Sequence, residues 1–130
     1  LKGVHNFTAT TGNTFKIALY DSDATLGAGT TAFSTSEEIT NTSGSAYTSG
    51  GATLTSVTPT SSSTTAICDF ADVSFSSASF TANGALIYNS SASNVAVCAI
   101  AFGSDKTATN GTFTIQFPTA DATNAIIRLA

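Results

Sequence analysis

A chain of 130 residues is one domain's worth of sequence, long enough to bury roughly two-thirds of its unfolded surface without metal or disulfide support. Only 9% of residues are charged and 42% are hydrophobic, with Ser and Thr making up about a third, which excludes a disordered segment and favours strands over helices. The net charge of −4 and four scattered cations, Lys2, Lys16, Lys106 and Arg128, argue against nucleic acid as a partner, and no apolar run reaches the ~18 residues of a membrane span.

The first element is Thr14 to Tyr20, TFKIALY. Phe15, Ile17 and Leu19 alternate onto one face, the mark of a half-buried strand. Asp21-Ser-Asp23 then closes a turn on its own backbone. The acidic pair superficially resembles the start of a calcium loop, but the glycine and terminal glutamate of an EF-hand are missing. Before the first strand lies an N-terminal arm, residues 1–13. The chain opens on Leu1 rather than Met, which leaves room for residues in front of it, and no signal peptide is visible.

From Leu26 to Gly51 the chain is rich in Gly, Ser and Thr, with few apolar anchors. It reads as a long surface excursion, the kind of loop that carries interactions. One short helical turn is expected at Ser34 to Ile39, with Ser34 as N-cap and Glu37 three residues on.

Ala52 to Thr58 is a moderate strand that stops near Pro59. Thr65 to Phe75, TAICDFADVSF, is strand-like with a bulge. Asn83-Gly84 signals a tight turn before the strand from Ala85 to Tyr88. Val95 to Phe102, VAVCAIAF, is apolar on both faces and is expected to be the most central strand. Gly103 to Gly111 reads as a polar loop. Thr112 to Phe117 places Phe113, Ile115 and Phe117 inward, and it is expected to form a hairpin with Val95–Phe102. Ala125 to Leu129 is the last short strand.

These elements predict an all-β fold, a single β-sandwich of jelly-roll type with at most one short helix. The expected core is Phe15, Ile17, Leu19, Ile67, Phe70, Ile87, Val97, Ile100, Phe113, Ile115 and Phe117. One short echo links Ala18-Leu-Tyr-Asp-Ser-Asp-Ala-Thr25 to Leu86-Ile-Tyr-Asn-Ser-Ser-Ala-Ser93, the same strand exit used twice. Tyr20 and Tyr88 end these strands, their hydroxyls expected to reach water.

No catalytic, cofactor-binding or metal-ligating set is assigned. His5 is the single histidine, near the chain start, and a triad needs a nucleophile, a base and an orienting group. Cys68 and Cys98 lie in apolar runs and read as small buried hydrophobes, with a disulfide as the alternative. Asp69 and Asp72 flank Phe70, facing either solvent or a subunit boundary.

Several stretches resemble small structural proteins of tailed phages and prophages: His5-Asn-Phe-Thr8 followed by Thr14-Phe-Lys-Ile-Ala-Leu-Tyr20, Cys68-Asp-Phe-Ala-Asp72, Gly84-Ala-Leu-Ile-Tyr-Asn89, Phe102-Gly-Ser-Asp-Lys106 and Asn124-Ala-Ile-Ile-Arg-Leu129. The resemblance implies a virion structural protein and, best, a capsid decoration or cement protein made in the host cytoplasm, with reduced cysteines. It implies the major capsid protein as partner and self-association as a dimer or trimer. The alternatives are a phage fibre, spike or tail-associated adhesion module, with Leu26–Gly51 as its tip, and a bacterial surface or filament-forming β-protein. The low charge and open strand edges expected of this chain also call for neighbours. The assembly contacts are expected in Leu1–Asn13 and Leu26–Gly51, as poorly anchored segments.

Overall fold

The computed structural model describes residues 3–130. It is all-β, with no helix among the described residues. Seven strands run in the order β1 (Phe15–Tyr20), β2 (Ala52–Thr53), β3 (Ser56–Ser62), β4 (Thr65–Phe70), β5 (Val73–Asn89), β6 (Val95–Ile115) and β7 (Ile127–Leu129). They form two antiparallel sheets, β2-β1-β5-β6 and β3-β4-β7, packed as a single β-sandwich.

The period-2 pattern of β1 sends Phe15, Ile17 and Leu19 into the sandwich interior, where none has measurable exposure. A train of aromatic rings runs through that interior. Phe7 stacks on Phe15 at 4.6 Å between centroids, Phe15 meets Phe70 edge-on at 5.6 Å, and Phe70 lies 5.8 Å from Phe117. A second group joins Tyr47, Phe75, Phe80 and Phe113. Such pairs add about 0.5–1.5 kcal/mol beyond their burial.

β1 is covered on its other face too. Ala18 and Tyr20, with Leu86 and Tyr88 of β5, pack under Ala24, Leu26 and Phe33. The doubly covered strands are therefore β1 and the end of β5. Val95–Phe102, expected at the centre, lies in β6 at the sheet's margin. Its second apolar face consists of alanines, Ala99 and Ala101, both exposed, and a methyl group is small enough to tolerate water.

The expected hairpin between Val95–Phe102 and Thr112–Phe117 does not form. Val95–Phe102 and Thr112–Ile115 belong to the same strand, β6, and Phe117 lies just past its end. Both regions pair with β5, as Ile87↔Cys98 and Phe75↔Phe113 show. The actual hairpin turn is 90–94, where Ser93 and Asn94 take positive φ of 52° and 58°. The expected polar loop at 103–111 is strand interrupted by bulges. Between Ala82↔Lys106 and Gly84↔Ala101, four residues of β6 face one of β5, with Gly103 at φ 78°. Asn83 Nδ2 donates to Asp105 Oδ1 across this bulge at 2.8 Å. Gly84 makes no turn; a side chain there would meet the Ile100 carbonyl oxygen at 2.9 Å.

The bulge expected in Thr65–Phe75 is a change of sheet. β4 ends at Phe70, Ala71 donates to the Thr55 carbonyl, and β5 begins at Val73 in the other sheet. Ser34–Ile39 forms a single turn in which Ser36 N–H donates to Ser34 Oγ. Glu37 at φ 59° diverts the chain out of helical geometry.

Candidate functional site

The two long polar segments are fastened to the sandwich. Asn89, with no exposed surface, donates from Nδ2 to the Val4 carbonyl and Asn13 Oδ1, and also meets His5 Nδ1 at 3.1 Å. His5 thus serves as an anchor of the arm, its ring 5.9 Å from that of Phe7.

The excursion is held by a buried carboxylate. Glu38 is 4% exposed. Its oxygens accept from Tyr47 OH at 2.6 Å, Ser49 Oγ at 2.7 Å and Gly50 N–H at 2.6 Å. Tyr47 OH in turn accepts from Leu19 N–H at 3.0 Å. Burial, and then the bond to Glu38, push the Tyr47 phenol well above its ordinary range. Tyr20 and Tyr88, expected to reach water, instead donate to the Ser34 and Gly50 carbonyls at 2.6 and 2.7 Å. Neither the excursion nor the described part of the arm, residues 3–13, is poorly anchored, so poor anchoring is no reason to place assembly contacts there; Leu1 and Lys2 of the expected contact segment lie outside the described residues.

These bonds seal one flank. β2 covers only Lys16 and Ile17 of β1. Beyond it, Ile39 N–H donates to the Leu19 carbonyl, Asp21 N–H to the Glu37 carbonyl, and Leu54 N–H to the Phe15 carbonyl. Gly51 sits against the Ile17 carbonyl at φ 70°, where a side chain would overlap it. Residues 52–62 then pass from one sheet to the other, closing that side with continuous chain.

The opposite flank, between β6 and β7, is open. Each is the last strand of its sheet. After Ala96, whose N–H donates to the Thr31 carbonyl, the outer edge of β6 has no strand beside it among the described residues. Between the two edges run two clefts that share Ile126. The larger, about 770 Å³, is lined by Val97 and Cys98 of β6, Cys68 of β4, Ile127 and Leu129 of β7, and the arm at Val4. The smaller, about 510 Å³, is lined by Ile100, Phe102, Phe113, Phe117 and Pro118.

Of the expected core, Phe15, Ile17, Leu19, Ile67, Phe70, Ile87 and Ile115 are buried. Val97, Ile100, Phe113 and Phe117 are only partly so. All four line the open flank.

Cys68 and Cys98 are free thiols facing the larger cleft from opposite sheets. Burial raises both, Cys98 to about 11. The charged side chains of the lining are Lys106 and Arg128. Asp121 lies near Arg128, and hydrogen bonds from Asn124 and from the Thr123 and Asn124 amides lower its carboxyl.

Asp21 and Asp23 form the turn expected, Asp23 N–H donating to Asp21 Oδ1 at 3.0 Å, and the fold brings Glu37 beside them, all three carboxylates lying within 4.8 Å of one another. Glu37 was not legible as their neighbour because fifteen residues lie between it and Asp21 in the chain. Asp69 and Asp72 diverge: Asp72 Oδ1 accepts from Phe117 N–H at 2.8 Å, whereas Asp69 Oδ1 is buried with no hydrogen-bond partner among the described residues.

Comparison with protein-family models, curated proteins and solved structures finds no match.

Proposed function

We propose that this chain is a structural subunit of a tailed-phage particle, a decoration protein that binds and stabilises the head shell, with the major capsid protein as its partner. The observation that carries this reading is the open flank. A sandwich sealed on one side presents an apolar cleft and an unpaired strand edge on the other, a surface suited to assembly. Such a subunit contributes many copies of a modest contact, and repetition over a lattice turns modest affinity into firm attachment. The fibre or tail-adhesion alternative calls for a projecting tip, and the fastening of residues 26–51 to the sheet weighs against it.

The test is the number of copies on purified particles, measured by quantitative mass spectrometry against the major capsid protein. Hundreds per particle, with localisation to the head by electron microscopy, is the expected result. A few copies at a vertex or tail, or none, would overturn the reading.

A further inference from the structure

We propose that the open flank takes a single extended segment of the shell protein, added as a strand to the outer edge of β6 and carrying alternate apolar side chains and at least one carboxylate. The inference rests on the decoration reading for the identity of the partner, and it goes further in naming what docks and how.

β6 ends the four-stranded sheet and pairs with β5 alone. The bridge between Ala32 and Val95, with the bond from Ala96 N–H to the Thr31 carbonyl, covers its beginning. From Val97 to Phe102, where the bulge begins, its outward main-chain groups face no strand among the described residues. A row of such groups is matched by another extended backbone, which supplies donors and acceptors at the same spacing. Six residues at about 3.3 Å each make a ladder of roughly 20 Å, the length of an ordinary strand.

The side chains of that edge divide in two. Ala99 and Ala101 are exposed, and their methyl groups leave room for a neighbour. Cys98, Ile100 and Phe102 line the clefts. An added strand has the same period of two, so every second side chain of it lies over the clefts. Their volumes, about 770 and 510 Å³, fall in the range of roughly 300–1,000 Å³ that suits a small ligand. That space seats a few side chains of one segment, not the broad face of a folded domain, which engages ~800 Å² on each side.

Charge selects the kind of segment. The charged side chains of the lining, Lys106 in the smaller cleft and Arg128 in the larger, are both cations, in a chain whose net charge is −4. Their hydrogen bonds go to the Ser104 hydroxyl and the Ala122 carbonyl. Of the carboxylates nearby, Asp105 accepts from Asn83 and Asp121 from Asn124. An acidic segment therefore meets a cation in each cleft, whereas a basic one meets like charge.

The test uses the full chain, heads assembled without it, and overlapping synthetic peptides that span every structural protein of the same particle. Hydrogen exchange read by mass spectrometry should slow at Val97–Phe102 when the chain binds heads. The peptide the chain captures should come from the major capsid protein, alternate in apolar residues, contain Asp or Glu, and compete with heads. Lys106→Gln and Arg128→Gln, both at exposed positions, should each weaken peptide binding at least threefold. Val57→Glu makes the same change of net charge on β3, away from the open flank, and should weaken it less than twofold. Head-bound chain with unchanged exchange at Val97–Phe102, capture of no peptide, or equal effects of the three substitutions would overturn the inference and leave the decoration reading standing. Exchange that slows there in the chain alone as its concentration rises would assign the edge to a second copy and overturn the inference as well. Failure to bind heads, with capture of a peptide from another virion protein, would remove the decoration reading and with it the partner named here.

Discussion

The two flanks of the sandwich solve the same problem differently. Each ends in strand edges whose backbone groups need partners. On the β2 side, loop and strand segments of the same chain supply them: Glu37 and Ile39 of the excursion, the Tyr47 hydroxyl, and Leu54 beside β2. On the β6–β7 side the described chain supplies none past Ala96, and partly covered apolar side chains mark the gap. Covering an edge with loop requires a device to hold the loop. Here it is one buried carboxylate with three donors.

The largest separation of the two regions should come from truncating aromatic side chains. Phe15→Ala, inside the sealed part, should cost about 3–5 kcal/mol in a urea melt. Phe113→Ala, on the open flank, should cost about half as much, roughly 2 kcal/mol, because less of its ring leaves water on folding. Equal losses at low protein concentration would erase the distinction. Tyr47→Phe should cost about 2 kcal/mol, since it removes a bond to a buried carboxylate and leaves Leu19 N–H unpaired.

Alkaline titration sharpens the comparison further. Tyr47 and Cys98 both have raised folded-state values, so each contributes stability that is complete below its unfolded value, about 10 and about 9 respectively. That stability is lost as pH rises, for Cys98 through about 11. Melting temperature should therefore hold up to about pH 9 and fall beyond it, and Tyr47→Phe should flatten the upper part of the fall. An unchanged slope in the variant would show that the sealed flank does not depend on the phenol's proton. The smallest effect is expected at Val57→Ser, where an exposed side chain away from the open flank is shortened, with a change within ~0.5 kcal/mol.

Much of the architecture was legible from alternation alone. Phe15, Ile17 and Leu19 announce β1, and the apolar run at Ala125–Leu129 contains β7. Punctuation was the source of error. Asn83-Gly84, Gly103 and Asn110-Gly111 mark places where the backbone takes unusual φ or comes close to another chain segment, and a bulge needs those residues as much as a turn does. Local pattern cannot tell the two apart; the long-range pairing of β5 with β6 decides. The open flank was legible only in reverse. The sequence pattern of Val97, Ile100, Phe113 and Phe117 calls for a cover, and the fold shows where it is missing. The hold of Glu38 on residues 26–51 had no local signal, because its donors Tyr47, Ser49 and Gly50 reach it only once the excursion has folded back on itself.

The bulge at Phe102–Asp105 bears on how such a protein avoids runaway growth. Regularly paired, the twenty-one residues of β6 would form a template long enough for a neighbouring strand to slip by two residues and still pair. The three surplus residues beside the charged pair Asp105 and Lys106, with the smaller register shifts on either side of them, divide the ladder into short stretches. A strand that matches one of them is out of step with the next. Fibril-like stacking, which depends on long, flat and interchangeable registers, is thereby disfavoured at the very edge most exposed to it, and a single alignment is left for whatever docks.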